Sequence, residues 1–567
     1  MSYARVVPVL RTPAGLDAFD YAVPDGLDLR IGDLVWVPFR KQKTPALVVE
    51  LLKASPYAKQ AKEVIGLYAD IRFPEATVGL MRWLADWTFA SQPAVLLAWL
   101  RGLPKRPETK SEIKKTAEKG SMSAFWIADP DTQLIEATKK AKGRVLIVTP
   151  WLASAKRLAN HLPGSSLLLA EQADGTYFEQ WTNWATSPKG ILITTRVGSW
   201  LSPIAHEVML HLPEQDDHKQ DELTPRYDAR RIAAWSAQHA GTVVQAFGVT
   251  PPLSSDEASP DIALPLEVRV RSPKGHSPIP SLQADVLNII RDHEGPRIIV
   301  HGIRGKGARF VCRDCSWSPV CERCDFPLSD DGMRASCRRC GWTGEPPLSC
   351  LSCGGTDLGK SLPGIDRLKA AWQKYEADIP VEWRTLAIDE QEAALPEGCL
   401  VAVTDATLLC GVVEDIRRDE RLVIGIRHLA SRVAAAHGTL VLQTAEHEAV
   451  LIETCLTSDG ERAFRERDRA LRAEFGYPPA KRLVKAIIQG TTADAERWMS
   501  KMKVRINEAH GELRGPYQVE YRPKTRRSRW IVHAIFPMSI EQKRLTAIFK
   551  PFANEALLDL DPIAFFR

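Results

Sequence analysis

Eight of the eleven cysteines lie between Cys312 and Cys353, as four Cys-x-x-Cys pairs: Cys312/Cys315, Cys321/Cys324, Cys337/Cys340 and Cys350/Cys353. Two cysteines separated by two residues can turn both sulfurs toward one ion, and a tetrahedral structural zinc takes two such pairs. Four pairs therefore predict two zinc ions (Zn2+) per chain. The competing readings are unmetallated core cysteines and a redox dithiol, and the latter comes singly within a βαβ context. A closed shell of four thiolates leaves no open coordination position, so the expected role is a rigid platform for nucleic-acid or protein contact. The two sites together lower the formal charge of the folded chain from +5 to about +1. Cys399, Cys410 and Cys455 stand alone in apolar surroundings and are expected as small core residues.

A second chemistry is carried by charge. Arg522, Lys524, Arg526, Arg527 and Arg529 stand together with no acid among them, and Trp530 comes next. Cations for phosphates beside a ring for stacking make the composition expected of single-strand or fork binding; the alternative is a solvated hairpin tip. Lys481, Arg482 and Lys485 extend the same face in this reading. His161 and His301 stand isolated and are assigned no role.

Positioning these groups takes several domains, because 567 residues at roughly 100–200 per domain give three to five. A hydrophobic fraction of 44% with 26% charged excludes disorder throughout, and the small basic excess cannot by itself argue for nucleic acid. Arg5 and Arg11 bracket too short an apolar run for a signal-peptide core. The longest uncharged apolar stretch, Trp87 to Leu100, is interrupted by Ser91, Gln92 and Pro93 and falls short of the ~20 residues that span a bilayer. A cytoplasmic chain with reduced thiols and no membrane partner is expected.

Alternation at Val6–Leu10, Leu34–Val37 and Ala46–Leu52 predicts a small β-rich domain over 1–104, with a helical stretch near Leu80–Leu100. Residues 105–121, polar with alternating Lys and Glu, read as a linker. Apolar runs at Val145–Thr149, Leu167–Ala170, Ile191–Thr194, Val208–Leu212 and Val243–Ala246 predict a parallel α/β lobe over 122–265. A second lobe over 275–311 and 357–456 has runs at Arg297–Val300, Leu400–Val403, Leu422–Ile426 and Leu440–Gln443, and the cysteine module 312–356 is inserted after the first. Residues 457–567 open with a charged helix and end in strands, an α+β domain. The fold class is multidomain α/β.

Phe19-Asp20-Tyr21, Val37-Pro38-Phe39, Pro225-Arg226-Tyr227-Asp228-Ala229-Arg230, the cysteine pairs inserted in a second lobe, Phe475-Gly476-Tyr477-Pro478-Pro479 and Asp559-Leu560-Asp561-Pro562 occur in that order. Together they resemble the bacterial replication-restart family PriA (primosomal protein N′) along nearly the whole chain. The resemblance implies a 3′-end DNA-binding domain, two helicase-like lobes and a C-terminal DNA-binding domain. It groups Cys312, Cys315, Cys350 and Cys353 on one zinc and Cys321, Cys324, Cys337 and Cys340 on the other. The implied partners are branched or forked DNA, single-stranded DNA, and primosome and replisome proteins. Phe19, Asp20, Tyr21 and Lys62 match the positions that grip a nascent 3′ end, with Asp20 accepting a hydrogen bond from the 3′-hydroxyl and the rings facing the terminal base. The alternative makes Phe19 and Tyr21 strand core and Asp20 turn chemistry. Arg40 stands where the family has glycine after Pro-Phe, so a phosphate contact is expected there.

PriA proteins are ATP-dependent DNA helicases, and this sequence departs from them where a nucleotide would be held. No G-x-x-x-x-G-K-[ST] occurs, and Ala124 to Lys140, where it should lie, contains no glycine. The acidic magnesium motif is replaced by Pro213-Glu214-Gln215-Asp216-Asp217-His218, and the arginine motif is reduced to Ser431-Arg432 followed by Val433-Ala434-Ala435. The family's winged-helix module is expected to be absent, since Pro104–Ser121 is too short to hold one. The reading is a degenerate PriA-like protein that recognises stalled or branched forks and supports primosome assembly without helicase activity, with no catalytic residue assigned. Two other readings are an ATP-dependent 3′-to-5′ helicase with divergent motifs, and a zinc-ribbon protein acting on RNA or in transcription.

Overall fold

The computed structural model describes every residue except 1, 13–15, 105–109, 114–118, 272–276, 304–307, 313–317, 324–326, 331–333, 338–340, 357, 362, 411–414, 523–526 and 567. Period-two alternation builds the N-terminal sheet, in the spatial order Phe19–Val23, Ser2–Pro8, Gln42–Leu52, Asp33–Phe39, Gly66–Arg72 and Lys110–Glu112. The last strand corrects the expected linker over 105–121. Residues 110–112 pair with 70–72, so backbone hydrogen bonding ties the middle of that segment to the domain. The expected helical stretch is two helices, Glu75–Trp87 and Gln92–Trp99, broken near Phe89 at φ +55°, with Pro93 in the first turn of the second. Phe73 and Trp99 pack on Trp181 and Trp200 of the first lobe, none more than 3% exposed, which welds the two domains through one aromatic core.

The first lobe is a parallel sheet in the order Ser121–Trp126, Val243–Gly248, Glu207–His211, Arg144–Val148, Gly190–Thr194 and Ser166–Leu168. Its central strand Arg144–Val148 is buried at every residue, as strands covered on both faces must be. The second lobe is also parallel, in the order Leu266–Val270, Thr439–Thr444, Leu400–Val403, Arg297–Val300 and Glu382–Arg384. One expectation fails here: Leu422–Ile426 lies inside the helix Arg418–Ala435. Five apolar residues are too few for periodicity to decide. The continuation decides, because Leu422, Val423, Ile426, Ala430 and Val433 recur at helical spacing and are all buried.

The cysteine module leaves the second lobe on two antiparallel strands, Ala308–Cys312 and Leu358–Ser361. In the C-terminal domain, four antiparallel strands in the order Glu512–Arg522, Arg527–Pro537, Lys481–Gly490 and Leu557–Leu560 pack against the helices Thr492–Asn507 and Gln542–Phe549. The segment after Leu557–Leu560 threads between domains. Lys219 of the first lobe donates to the carbonyls of Leu560 and Asp561 at 2.7 Å each, Arg417 of the second lobe to Ile563 at 2.8 Å, and Lys485 of the C-terminal domain to Ala564 at 2.6 Å. No helix among the described residues is long and apolar enough to cross a membrane. Cys399, Cys410 and Cys455 are buried, and burial pushes all three thiols up, as expected of core cysteines.

Candidate metal centre and nucleic-acid interface

The sulfurs of Cys312, Cys350 and Cys353 all lie within 4.8 Å of one another. Cys312 and Cys353 approach to 3.6 Å, far beyond a disulfide bond of ~2.05 Å and close to the ~3.8 Å edge of a tetrahedron with ~2.3 Å zinc–sulfur bonds. The turn around Cys350 explains the convergence. Cys350 N–H donates to the Gly355 carbonyl at 2.7 Å, Gly354 N–H donates to the Cys350 carbonyl at 2.8 Å, and Ser352 N–H points at the Cys350 sulfur at 3.3 Å. Gly354 takes φ +74°, where a side chain would be strained. The same device recurs at the Cys337 turn, where Gly341 takes φ +73° and donates to the Cys337 carbonyl at 2.9 Å. Cys321 and Cys337 are buried together with Phe310, Leu328 and Ala335. Amides aimed at sulfur favour the thiolate, so the donor set fits a soft divalent ion. Cys315, Cys324 and Cys340 lie outside the described residues.

The strand Phe19–Val23 divides the residues expected to act together. Phe19 and Tyr21 share one face: Phe19 packs edge-on against Phe39 at 5.2 Å, and Tyr21, 6% exposed, sits in the core and donates its hydroxyl to the Pro38 carbonyl at 3.1 Å. Asp20 faces the other way, as the pleat requires. Its side chain is 2% exposed and accepts from Arg5 Nε at 2.8 Å and from Ser55 Oγ at 2.6 Å. Burial alone would push the carboxyl up, but those two donors outweigh it and hold it below the usual carboxylate range. The alternation of the strand thus sends the rings and the carboxylate to opposite faces, with Phe19 partly buried beside Phe39. Arg40 forms the tip of the hairpin between Asp33–Phe39 and Gln42–Leu52, at φ +54°, with its guanidinium over the Phe39 ring at 5.9 Å. Lys62 is exposed, and its carbonyl accepts from Ala22 N–H at 2.9 Å.

In the C-terminal domain, Arg522 and Arg527 pair across the end of a hairpin. Their side chains, and Lys524 and Arg526 altogether, lie outside the described residues. Arg529 lies on the strand, half-buried, opposite Gln489. Trp530 is not a stacking platform. It is 8% exposed, donates its indole N–H to the Gly490 carbonyl at 3.2 Å and packs in the core under the helix Thr492–Asn507. Lys485 is likewise withdrawn from any DNA face, 2% exposed and held by Ala564 and Asp559, and burial pushes its ammonium down to about 8. Arg482 is bound to Asp561 and lies over Trp87 at 5.0 Å.

A polyphosphate needs free amides at a helix start. Between the strand Ser121–Trp126 and the helix Pro130–Lys140 stand only Ile127, Ala128 and Asp129. Asp129 occupies the Thr132 amide at 3.1 Å, Pro130 has none to offer, and Asp131 is bound by Arg157 and by His211 at 2.6 Å. Two carboxylates therefore stand where phosphates would approach. The acids after Glu207–His211 are also engaged: Glu214 by Val249 N–H at 2.9 Å, Asp216 by Arg417 and Arg421, and Asp217 by Trp151 Nε1 at 2.9 Å. Across the cleft, Glu392 of the second lobe is 1% exposed at its side chain and accepts from Ser154 at 2.8 Å and Arg157 at 2.7 Å of the first lobe, and bonds His428 at 2.8 Å. Burial alone would push its carboxyl up, but His428, Arg432 and Arg157 hold it well below the usual range. The polar side chains at this helix start and between the lobes are thus engaged with one another.

Sequence reading missed Glu392, whose partners come from distant segments, and it missed Arg5 and Ser55 for the same reason. It took Lys62 from the loop 53–62 but passed over Lys53, Tyr57 and Lys59, which are exposed on the same loop. Their spacing was visible, but it belongs to no regular element.

Residues 8–101 match the family model PriA 3′DNA-binding domain (3′BD). The chain is 22% identical over 402 residues to the replication restart protein PriA of Bacillus subtilis, covering 60% of this chain and 49% of that one. It is 27% identical over 256 residues to a probable replication restart protein PriA of Deinococcus radiodurans, covering 41% and 27%. With the Rickettsia conorii replication restart protein PriA, identity is 20% over 599 residues, 90% of this chain and 91% of that one. The chain thus aligns with about half the length of the Bacillus relative and nearly all of the Rickettsia one.

Proposed function

We propose that this relative of the PriA replication restart proteins recognises stalled or branched DNA forks in the cytoplasm and supports primosome assembly without hydrolysing ATP. The observation that carries the reading is the N-terminal domain, whose sequence over residues 8–101 matches the 3′DNA-binding family model and whose strand Phe19–Val23 is flanked by exposed Arg40 and Lys62. Basic side chains there and on the hairpin Arg522–Arg529 would bind phosphates of the two arms. Cys312, Cys315, Cys350 and Cys353 would hold one zinc, and Cys321, Cys324, Cys337 and Cys340 a second. The metal would crosslink a module whose own apolar cluster, Phe310, Leu328 and Ala335 beside Cys321 and Cys337, is small, leaving a rigid surface for primosome and replisome proteins.

The engaged carboxylates at the helix start Pro130–Lys140 and the Glu392 contacts between the lobes support the absence of turnover. Phosphoryl transfer relies on a phosphate loop, a magnesium ligand and an arginine, and loss of one such charge costs about 10³–10⁵ in rate. The test is affinity for a fork, a blunt duplex and an RNA duplex, alongside ATP hydrolysis with and without the fork. We expect preference for the fork and no stimulated hydrolysis. Fork-dependent turnover near ~1 s⁻¹ would contradict the second half of the proposal, and equal binding to RNA the first.

A further inference from the structure

The parallel sheet of the first lobe ends on the strand Ser121–Trp126, which pairs with Val243–Gly248 on one side and, among the described residues, with no strand on the other. Ser121 N–H donates to the Thr242 carbonyl at 3.3 Å and Ile127 N–H to the Gly248 carbonyl at 2.9 Å, so residues 121, 123, 125 and 127 turn their backbone groups into the sheet. Met122, Ala124 and Trp126 alternate with them and turn theirs outward. Such a row of amides and carbonyls is a template for another strand, and sheets ordinarily blunt it with charge, proline or a cover. This edge reads Ser-Met-Ser-Ala-Phe-Trp, with neither a charge nor a proline. Met122 on it is 52% exposed and Phe125 41%.

The edge is complementary to itself. In an antiparallel pair, opposed residues share a face, and the register that joins all three outward residues sets Ala124 against Ala124 of a second copy and Met122 against Trp126 of that copy. A thioether then lies beside an indole twice, which is a favourable contact. The charges agree with this direction. Exposed Lys119 precedes the strand, while Asp129 and exposed Glu257, which accepts from the Trp126 indole N–H, stand at its far end. Antiparallel pairing brings the basic start of each copy to the acidic end of the other, whereas parallel pairing sets like charges together.

We propose that this edge is an interaction surface whose partner is a second copy of the chain, the two Ser121–Trp126 strands pairing antiparallel about a twofold axis at Ala124 to make one continuous sheet. Six residues a side are far fewer than the ~20–30 of a stable interface, so the pairing is weak and reversible.

The test is sedimentation velocity on the full chain over about 1–100 µM, where we expect a reversible monomer–dimer equilibrium. Ala124→Pro removes an outward N–H that no bond of the sheet uses, a position where an edge strand tolerates proline, and Met122→Lys places a charge on the edge. Both should leave the chain monomeric and folded. Asp129→Asn, which still caps its helix, should weaken the dimer roughly 2- to 30-fold, since one charge is lost at each end of the pair. Ala124→Cys, at a pair whose Cα atoms would stand ~5.5 Å apart, should give a disulfide-linked dimer under mild oxidation that the unaltered chain does not give, and Ser123→Cys, opposite Phe125, should not. The proposal is overturned if the unaltered chain is monomeric throughout the range, if Met122→Lys dimerises as it does, or if Ser123→Cys crosslinks as readily as Ala124→Cys. Each of these results leaves the DNA reading standing.

Discussion

His211, His218 and His533 are each at most 0% exposed, and each uses Nε2 for its one bond: to Asp131, to the His211 carbonyl and to the Phe565 carbonyl. Nδ1 of all three has no partner among the described residues, so a second proton would leave a buried N–H unsatisfied. Burial pushes the imidazoles down, to about 3, 4 and 4. In the unfolded chain each takes a proton near ~6.5. Because the folded values lie below the unfolded one, their contribution is fully present above pH ~6.5 and is lost as pH falls toward the folded values, at up to about 1.4 kcal/mol per pH unit for each group. Denaturant titrations from pH 7.5 to 5.5 should show stability declining from about 6.5, before carboxylates protonate, and His533→Gln should reduce the slope. A flat profile over that range would count against neutral buried imidazoles. None of this was legible in the sequence, where a histidine carries no mark of its burial; it arises from strands and helices brought together from segments far apart.

The elements differ in how openly the sequence announces them. Metal-ligand spacing is local, so the cysteine pairs were readable before any strand was placed, and Cys312, Cys350 and Cys353 do converge. Parallel strands such as Arg144–Val148 were equally plain, because burial on both faces leaves an unbroken apolar run. Trp530 was misread for the opposite reason. Which face of a strand is covered depends on its pairing, and Trp530 opposite Ile488 turns under the helix Thr492–Asn507. The chain enters and leaves the cysteine module on the paired strands Ala308–Cys312 and Leu358–Ser361. Elemental analysis should give two zinc ions per chain. Stripping them with a strong chelator should unfold the module alone, seen as hydrogen exchange confined to residues 308–361, while the lobes keep their protection. Exchange spreading through the parallel sheets would mean that the metal supports the whole chain.

At the scale of the molecule, the two lobes meet through groups that leave little room for hinging. Glu392 is clasped from both sides, and the segment joining the lobes is held by Arg427, which donates to the carbonyls of Val249 and Pro260, and by Arg465, which donates to those of Ser255 and Glu257. Removing one partner of a buried ion pair costs about 3–5 kcal/mol, so Glu392→Ala should lower stability by that order. Fluorophores on the two lobes should report one narrow distance that ATP with magnesium does not change, and the same variant should broaden it. A nucleotide-dependent shift in the unaltered protein would show a working hinge. The aromatic seam of Phe73, Trp99, Trp181 and Trp200 extends this rigidity to the N-terminal domain. The C-terminal domain also closes directly on the N-terminal one: Lys550 pairs with Asp17 and Asp86, and Phe89 packs against Phe549. The DNA surfaces proposed for these two domains are therefore held at a fixed spacing, like the jaws of a caliper, and fork affinity is expected to peak at one leading-strand gap length and to fall for longer and shorter gaps.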